Sequence, residues 1–300
     1  RTFEDAERLS AVLAACPHAG VLLSGTSMVA LKAAEACIRK NARPTILGRS
    51  PHILKGSAHP RAASRMEALL EDQGIELLLG ETAEKARVFE DGSVSVLLAH
   101  QEKQRVFDAV LVAHGMSPNI GFIENASIHA DGGIIVDALM RTSAPHVYAA
   151  GDVATVPCLL GGSKVAGLWL AARQQGKVAG ANMAKELRDE GGACVLRSSA
   201  FAGGMEYHGF LPANTIKVGD ALFAAAGMIP SAEDPFAIET ENEYLLKSYL
   251  VQQDGQALLC GFNLVTKAGM TGLFGKLTDS IGRMQAEIAR NALQGVFTDV

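Results

Sequence analysis

Thr142-Ser143-Ala144-Pro145-His146-Val147-Tyr148-Ala149-Ala150-Gly151-Asp152-Val153 is the stretch on which the fold turns. The apolar run Val147–Ala150 reads as a buried strand that stops at Gly151-Asp152, and helix-compatible sequence follows some residues later. One carboxylate then stands at the carboxyl end of a strand, the place where open α/β sheets bind ligands. Asp accepts hydrogen bonds from sugar or polyol hydroxyls, and Gly lets a ligand approach the backbone. A bare Gly-Asp is just as readily a plain turn, so the flanking sequence has to decide.

Val21-Leu22-Leu23-Ser24 is an apolar strand, Gly25-Thr26-Ser27 a turn, and Met28–Arg39 a helix rich in Ala and Leu. Asn41-Ala42-Arg43-Pro44 breaks that helix, and Thr45-Ile46-Leu47 is the next strand. The whole is one βαβ unit of about 30 residues. A short amphipathic helix over residues 4–15 precedes it. A second helix over Arg61–Gln73 ends at Gly74, and Ile75–Leu79 is a further strand. Val88–Asp108 reads as antiparallel strands around an Asp91-Gly92 turn, and Val110–Ala113 ends at His114-Gly115. Gly25-x-Ser27-x-x-Ala30 sits where a dinucleotide fingerprint G-x-G-x-x-G/A belongs, with a strand before it and a helix after it. Gly25 would make the tight turn and Ala30 would let helix and sheet pack closely. Ser27 replaces the second Gly; its Cβ disfavours positive φ, while its hydroxyl can bond a phosphate. Alone, the motif is equally a structural βα turn.

Composition narrows the class. Three hundred residues with 48% hydrophobic content fill two or three domains, and the net charge of −5 argues against nucleic-acid binding and against a polybasic membrane anchor. No apolar run is long enough to span a bilayer. The five cysteines (Cys16, Cys37, Cys158, Cys194 and Cys260) are odd in number and lack C-x-x-C spacing. They form neither a disulfide scaffold nor a zinc site, which points to a cytoplasmic, reduced protein without metal. Cys37 falls on the apolar face of its helix. Cys158, six residues after Asp152, is either a buried small hydrophobe or a redox-relevant thiol.

The segment at Thr142–Val153 closely resembles the second flavin-binding motif of the FAD-dependent pyridine nucleotide-disulfide oxidoreductases. Gly132-Gly133-Ile134-Ile135-Val136-Asp137 leads into it as in that family. Trp169-Leu170-Ala171-Ala172-Arg173-Gln174-Gln175-Gly176 resembles the family's W-x-x-A-x-x-Q-G helix, and Ala113-His114-Gly115-Met116-Ser117-Pro118-Asn119 resembles its A-T-G-x-x-P-N crossover, with His114 in place of Thr. The resemblance implies FAD and NAD(P)H as cofactors. It implies that Gly151 and Asp152 hold the ribityl chain, and that Leu168 and Trp169 face the flavin ring from a helix N-terminus whose dipole favours electron density there. Gly25, Ser27 and Ala30 then take the nicotinamide pyrophosphate, and Gly115 permits a close turn. His114 is expected to be a hinge residue with a local hydrogen bond. Relatives end the Thr45–Leu47 strand with Glu or Asp on the ribose 2′-OH. Gly48 stands there, followed by Arg49 and Ser50. Arg49 is assigned to the adenine ribose, where a 2′-phosphate would suit it; a site that has decayed is the alternative.

The expected fold is α/β: Rossmann-like nucleotide-binding domains, the FAD/NAD(P)-binding fold, followed by a small α+β C-terminal domain. Its divisions are 1–112 for NAD(P), 113–190 for the C-terminal part of the FAD domain, and 191–300 for an interface or docking module. The charged Lys185–Gly192 marks the last boundary. Strands are expected at Ile216–Val218, Leu222–Ala225, Tyr244–Gln252 and Ala257–Val265, with a last helix at Ile281–Leu293. This module resembles the nitrite reductase large subunit, rubredoxin reductase and NADH oxidase branch. The family's separate N-terminal FAD-binding segment has no counterpart here, so the chain is expected to be a fragment that holds FAD weakly. The expected reaction is hydride transfer from nicotinamide to flavin, with electrons passed to a redox protein, a disulfide or oxygen. No side chain stands out as an acid, base or nucleophile. Nucleotides are the expected small-molecule partners and a homodimer or monomer the expected assembly. The second hypothesis is a non-catalytic nucleotide-binding or assembly protein on a decayed reductase scaffold.

Overall fold

The computed structural model describes residues 2–100, 104–123, 127–159, 161–189 and 204–227, together with strands at 237–242, 245–251 and 257–267, whose side chains are described only from 261. The helix expected at Ile281–Leu293 and Cys194 lie outside these residues, as does the side chain of Cys260. The chain forms two compact units. The first joins the residues up to Gly115 with the strands from Ala213 onward; the second begins at Met116 and runs to Pro212.

The first unit is built on four parallel strands: β1 (Gly20–Ser24), β2 (Arg43–Gly48), β3 (Glu76–Leu79) and β7 (Ala109–Val112), in the order β3-β2-β1-β7. Leu22 sits between Thr45 and Val110 in register. Helix α1 (Phe3–Ala15) opens with a capping box in which Thr2 and Asp5 exchange hydrogen bonds. Helix α2 (Met28–Arg39) turns Ala30, Leu31, Ala34 and Cys37 inward, the spacing of one helical face. Asn41 ends it in a left-handed conformation. Pro44 lies inside β2, at its start, where a missing N–H is tolerated. Helix α3 (Pro60–Glu71) begins with Pro60 at its first position and the His59 ring as cap.

Both faces of the sheet are covered. On one, Leu22 and Leu47 meet Val96, Leu98 and Phe107 of an antiparallel meander, β4 (Ala83–Val88), β5 (Val94–Leu98) and β6 (Gln104–Phe107). The sequence reading places the meander's start at Val88; β4 begins five residues earlier, because its exposed, charged side chains hide its pairing with β5. On the other face, α2 and α3 carry a five-stranded antiparallel sheet: β11 (Ala213–Val218), β12 (Ala221–Gly227), β13 (Ala237–Asn242), β14 (Leu245–Val251) and β15 (Ala257–Lys267). Ile216, Val218, Phe223 and Val265 of this sheet belong to the same buried cluster as Leu31, Met66 and Leu70 of the helices.

Glu35 fastens the two layers. Only 7% exposed, it accepts from Lys32 Nζ at 2.5 Å, from Arg39 at 3.2 Å and from the Gly219 N–H at 3.1 Å, while Lys32 also donates to the Lys217 carbonyl at 2.6 Å. Burial raises the Glu35 pKa, but the hydrogen bonds from Lys32 and Gly219 and the charges of Lys32 and Arg39 outweigh it, so the carboxyl titrates below its ordinary value of 4.5. A depressed folded pKa adds stability above the unfolded value, and that stability is lost as pH falls through the folded one. Glu35→Gln is therefore expected to lower the urea midpoint at neutral pH and to flatten its decline below pH 4.5. Midpoints of the two proteins that fell in parallel would contradict this.

The second unit is smaller. Strands β8 (Ile134–Ile135) and β9 (Ala154–Pro157) run parallel, and β10 (Ser163–Val165) adds antiparallel to β9. Helix α4 (Trp169–Asp189) packs Ala171, Val178 and Ala179 onto Ile134, Met140, Val156 and Tyr207. Buried Asn182 clamps the helix: its Nδ2 donates to the Leu139 and Met205 carbonyls and its Oδ1 accepts from the Met205 N–H. One expectation needs correction. Val147–Ala150 is not a strand; Tyr148 makes one isolated bridge to Arg141, and Ala149 donates to the Met140 carbonyl at 3.2 Å. An apolar run cannot make a strand where the described residues offer no ladder to join. The charged Lys185–Asp189, the start of the stretch read as a boundary, forms the last turn of α4, closed by a Lys185–Asp189 ion pair, and residues 190–192 lie outside the described residues.

Candidate functional site

The candidate nicotinamide residues lie in the first unit, at the carboxyl ends of β1, β2 and β7, around a cavity of about 950 Å³. Gly25 makes the turn out of β1 with φ of 129°, and a Cβ on it would overlap the Ala113 carbonyl. Only glycine fits there. Ser27 lies at φ −77°, comfortable for any L residue, so the missing second glycine costs the backbone nothing. Its hydroxyl donates to the Ala113 carbonyl at 3.4 Å and does not cap α2. The first turn of α2 holds no acidic residue. Its amides and positive dipole end are thus left to the cavity, which Met28 and Val29 line. Ala30 is fully buried beneath, in the helix–sheet core.

Arg49 is exposed where β2 ends and lines the cavity, as does Gly115, whose φ is 98°. The wall also contains residues that the fingerprint alone does not mark: Lys55, Ser57, Glu81 and Asn214. His114 shares a 2.7 Å hydrogen bond with Ser24. The bond is not local but joins the ends of two neighbouring strands.

The candidate flavin residues lie in the second unit. Gly151 has φ of 86° and its N–H donates to Gln175 Oε1 at 2.7 Å. Gln175 is fully buried, and its Nε2 contacts the Tyr207 hydroxyl at 3.4 Å. It therefore sets the Gly151-Asp152 turn against the first turns of α4. Asp152 is exposed, and its carboxylate has no partner among the described residues. Leu168 is half-buried just ahead of α4; Trp169 is 74% exposed, with the Arg173 guanidinium 6.0 Å from its ring centre. The first turn of α4 also lacks acidic residues. An unpartnered carboxylate and an open helix N-terminus fit a hydroxylated chain and an electron-accepting ring. A separate cavity of about 620 Å³ in this unit, near Arg141, Tyr148 and Asn182, contains none of the flavin candidates. There Tyr148 donates to Glu186 at 2.5 Å, and burial together with that carboxylate pushes its hydroxyl up to about 12.

Cys158 is buried in the core of the second unit. Cys37 is buried in the first, and burial pushes its thiol up to about 11, the behaviour of an inert core cysteine. Among the described residues no cluster of His, Cys, Asp and Glu can hold a metal ion, and no helix is long and apolar enough to cross a membrane.

A parallel sheet with a glycine turn at the carboxyl end of its first strand, followed by a unit with a Gly-Asp turn seated on a helix, defines a nucleotide-binding α/β protein. The chain belongs to the pyridine nucleotide-disulphide oxidoreductase family, whose pattern matches residues 1–176. It is 29% identical over 167 residues to the rubredoxin-NAD(+) reductase of Pseudomonas putida, covering 55% of this chain and 42% of that protein. An NAD-dependent persulfide reductase from A. fulgidus superposes with a TM-score of 0.76 at 22% identity, over 95% of this chain and 52% of that one. An engineered water-forming NADPH oxidase, a mutant of the Lactobacillus brevis NADH oxidase, superposes with a TM-score of 0.72 at 18% identity, over 96% of this chain and 62% of that one. The chain spans 28% to 48% of the length of the curated relatives it matches here.

Proposed function

We propose that this chain is the nicotinamide-binding and flavin-facing portion of an FAD-dependent NAD(P)H oxidoreductase. The carrying observation is the cavity at Gly25–Ser27, where an uncapped helix N-terminus meets a turn that only glycine can make. When bound, the reduced nicotinamide supplies a hydride to the flavin, whose electrons go on to an acceptor. The residues' own task is to hold and orient. The amides of α2 and the Gly25 turn take the pyrophosphate. Asp152 accepts from the flavin's hydroxyls, and the open end of α4 stabilises charge on its ring. The engineered oxidase, described as bound to NADPH, carries Gly to Ala, then eighteen positions later Asp to Ala, Ala to Arg and Met to Ser in succession, and Pro to Arg five positions beyond. Ala30, Gly48, Arg49, Ser50 and Lys55 stand at the same spacing here, and the last four line the cavity, which supports it as the coenzyme site. The relative named as a rubredoxin reductase supports a small redox protein as acceptor. The free thiols of Cys16, Cys37 and Cys158 fit a reducing compartment.

Asp152→Ala tests the flavin half. The side chain is exposed and unpartnered, so the variant folds as the parent does. Loss of a charge-assisted hydrogen bond weakens FAD binding about tenfold or more. Unchanged FAD affinity, read by flavin fluorescence, would remove Asp152 from the site.

A further inference from the structure

We infer that the cavity selects the 2′-phosphorylated coenzyme, NADPH, and that Arg49 and Lys55 together read the phosphate. This deepens the reading above and rests on it. The argument begins at Gly48, the end of β2. In dinucleotide folds the residue about 20 positions after the glycine turn meets the adenine ribose, and a carboxylate there bonds the 2′-OH of NADH. Here Gly48 supplies no carboxylate, and a side chain at its position would be crowded. A Cβ on Gly48 would overlap the Thr26 Cγ2 methyl. The Thr26 backbone is held, its carbonyl accepting the Leu54 N–H at 3.0 Å and the Gly25 N–H beside it donating to the Leu47 carbonyl at 2.8 Å, so a side chain at position 48 is admitted only if Thr26 changes rotamer.

The same bond to Leu54 shapes the loop that follows. Leu54 is held left-handed at φ 56°, with its side chain 3% exposed and its carbonyl accepting the Ser57 and Ala58 N–H groups at 2.8 and 2.9 Å. The Ile53 N–H donates to Glu67 at 2.9 Å, and the Ser50 carbonyl accepts from Gly80 at 3.0 Å. A non-glycine residue in this conformation persists only where its surroundings enforce it. The loop is therefore pinned to the glycine turn, and Arg49 and Lys55 project from it on the cavity wall. Neither cation has a hydrogen-bond or ion-pair partner among the described residues. Two cations without a partner among the described residues, in a cavity also lined by Ser50, Ser57 and Asn214, suit a dianionic phosphate. Glu81 is the carboxylate of this wall, and its Oε1 is already engaged by the Thr82 N–H at 2.8 Å and by the His100 N–H and ring at 3.3 and 3.2 Å.

The test is calorimetric titration of the purified chain with adenosine 2′,5′-bisphosphate and with 5′-AMP. These probes share the adenosine and the 5′-phosphate and differ only at the 2′ position; neither needs flavin. The bisphosphate is expected to bind at least about tenfold more tightly. Arg49→Ala and Lys55→Ala should each remove most of that preference, weakening the bisphosphate far more than 5′-AMP. Both side chains are exposed, so the variants are expected to fold. Equal binding of the two probes would overturn the NADPH inference and leave the nicotinamide site standing. Preference for 5′-AMP, abolished by Glu81→Gln, would overturn it in favour of NADH. Binding of neither probe would overturn the inference together with the reading beneath it.

Discussion

Gly25→Ala is expected to abolish nucleotide binding in the first unit and to cost about 3–5 kcal/mol of its stability, the sum of backbone strain and overpacking. The cause is local and unforgiving. The φ of 129° lies where an L side chain is strained, and the new Cβ would meet backbone rather than a movable side chain: the Ala113 carbonyl carbon stands 2.9 Å away. Relief requires β1 and the segment after β7 to part, which breaks the Ala113 N–H bond to the Ser24 carbonyl at 2.7 Å. That shift also displaces Ser27, His114 and the start of α2, the groups around the pyrophosphate position. Urea denaturation and titration with adenosine 2′,5′-bisphosphate would read both effects. A variant as stable as the parent and still binding nucleotide would refute the account of this turn.

Gln175→Leu is the second large effect, at about 3 kcal/mol of stability. Leucine has similar bulk but offers no acceptor to the Gly151 N–H and no partner to the Tyr207 hydroxyl. Both groups sit against a buried side chain, so each pays the cost of an unmade bond. The functional consequence is distinct from the loss of stability. The Gly151-Asp152 turn is no longer held to α4, so FAD affinity falls although no flavin contact is removed. Hydrogen exchange gives the specific signature: the Gly151 amide loses protection while the amides of α4 keep theirs. Retained protection at Gly151 would mean that Gln175 does not set this turn.

Much of the first unit was legible in the sequence because its signals are local. The apolar run at Val21–Ser24, the glycine after it and the helix periodicity of Met28–Arg39 each depend on residues a few positions apart, and the elements follow them. Lys55 was not legible. It reaches the cavity through a left-handed Leu54, and nothing in a leucine announces that conformation; the enforcing bond comes from Thr26, far off in the chain. Glu35 was hidden for the same reason, since its partner at Gly219 is brought to it only by folding; Gln175 stood in the helix motif, but its bond to Gly151 was not legible there. The run Val147–Ala150 misled in the opposite direction. Its composition suits a strand, but pairing is a property of neighbours, and the described neighbours supply a single bridge. The sharing of one core between α2, α3 and the C-terminal sheet likewise rests on contacts that no local pattern encodes.

The most direct test of the central claim is an anaerobic titration of the protein, loaded with FAD, with NADPH while the visible flavin band is followed. The account predicts that the band bleaches in proportion to coenzyme added, and that Gly25→Ala prevents it. A bound flavin whose band stays unchanged through the whole titration would contradict hydride transfer and leave a nucleotide-binding scaffold in its place.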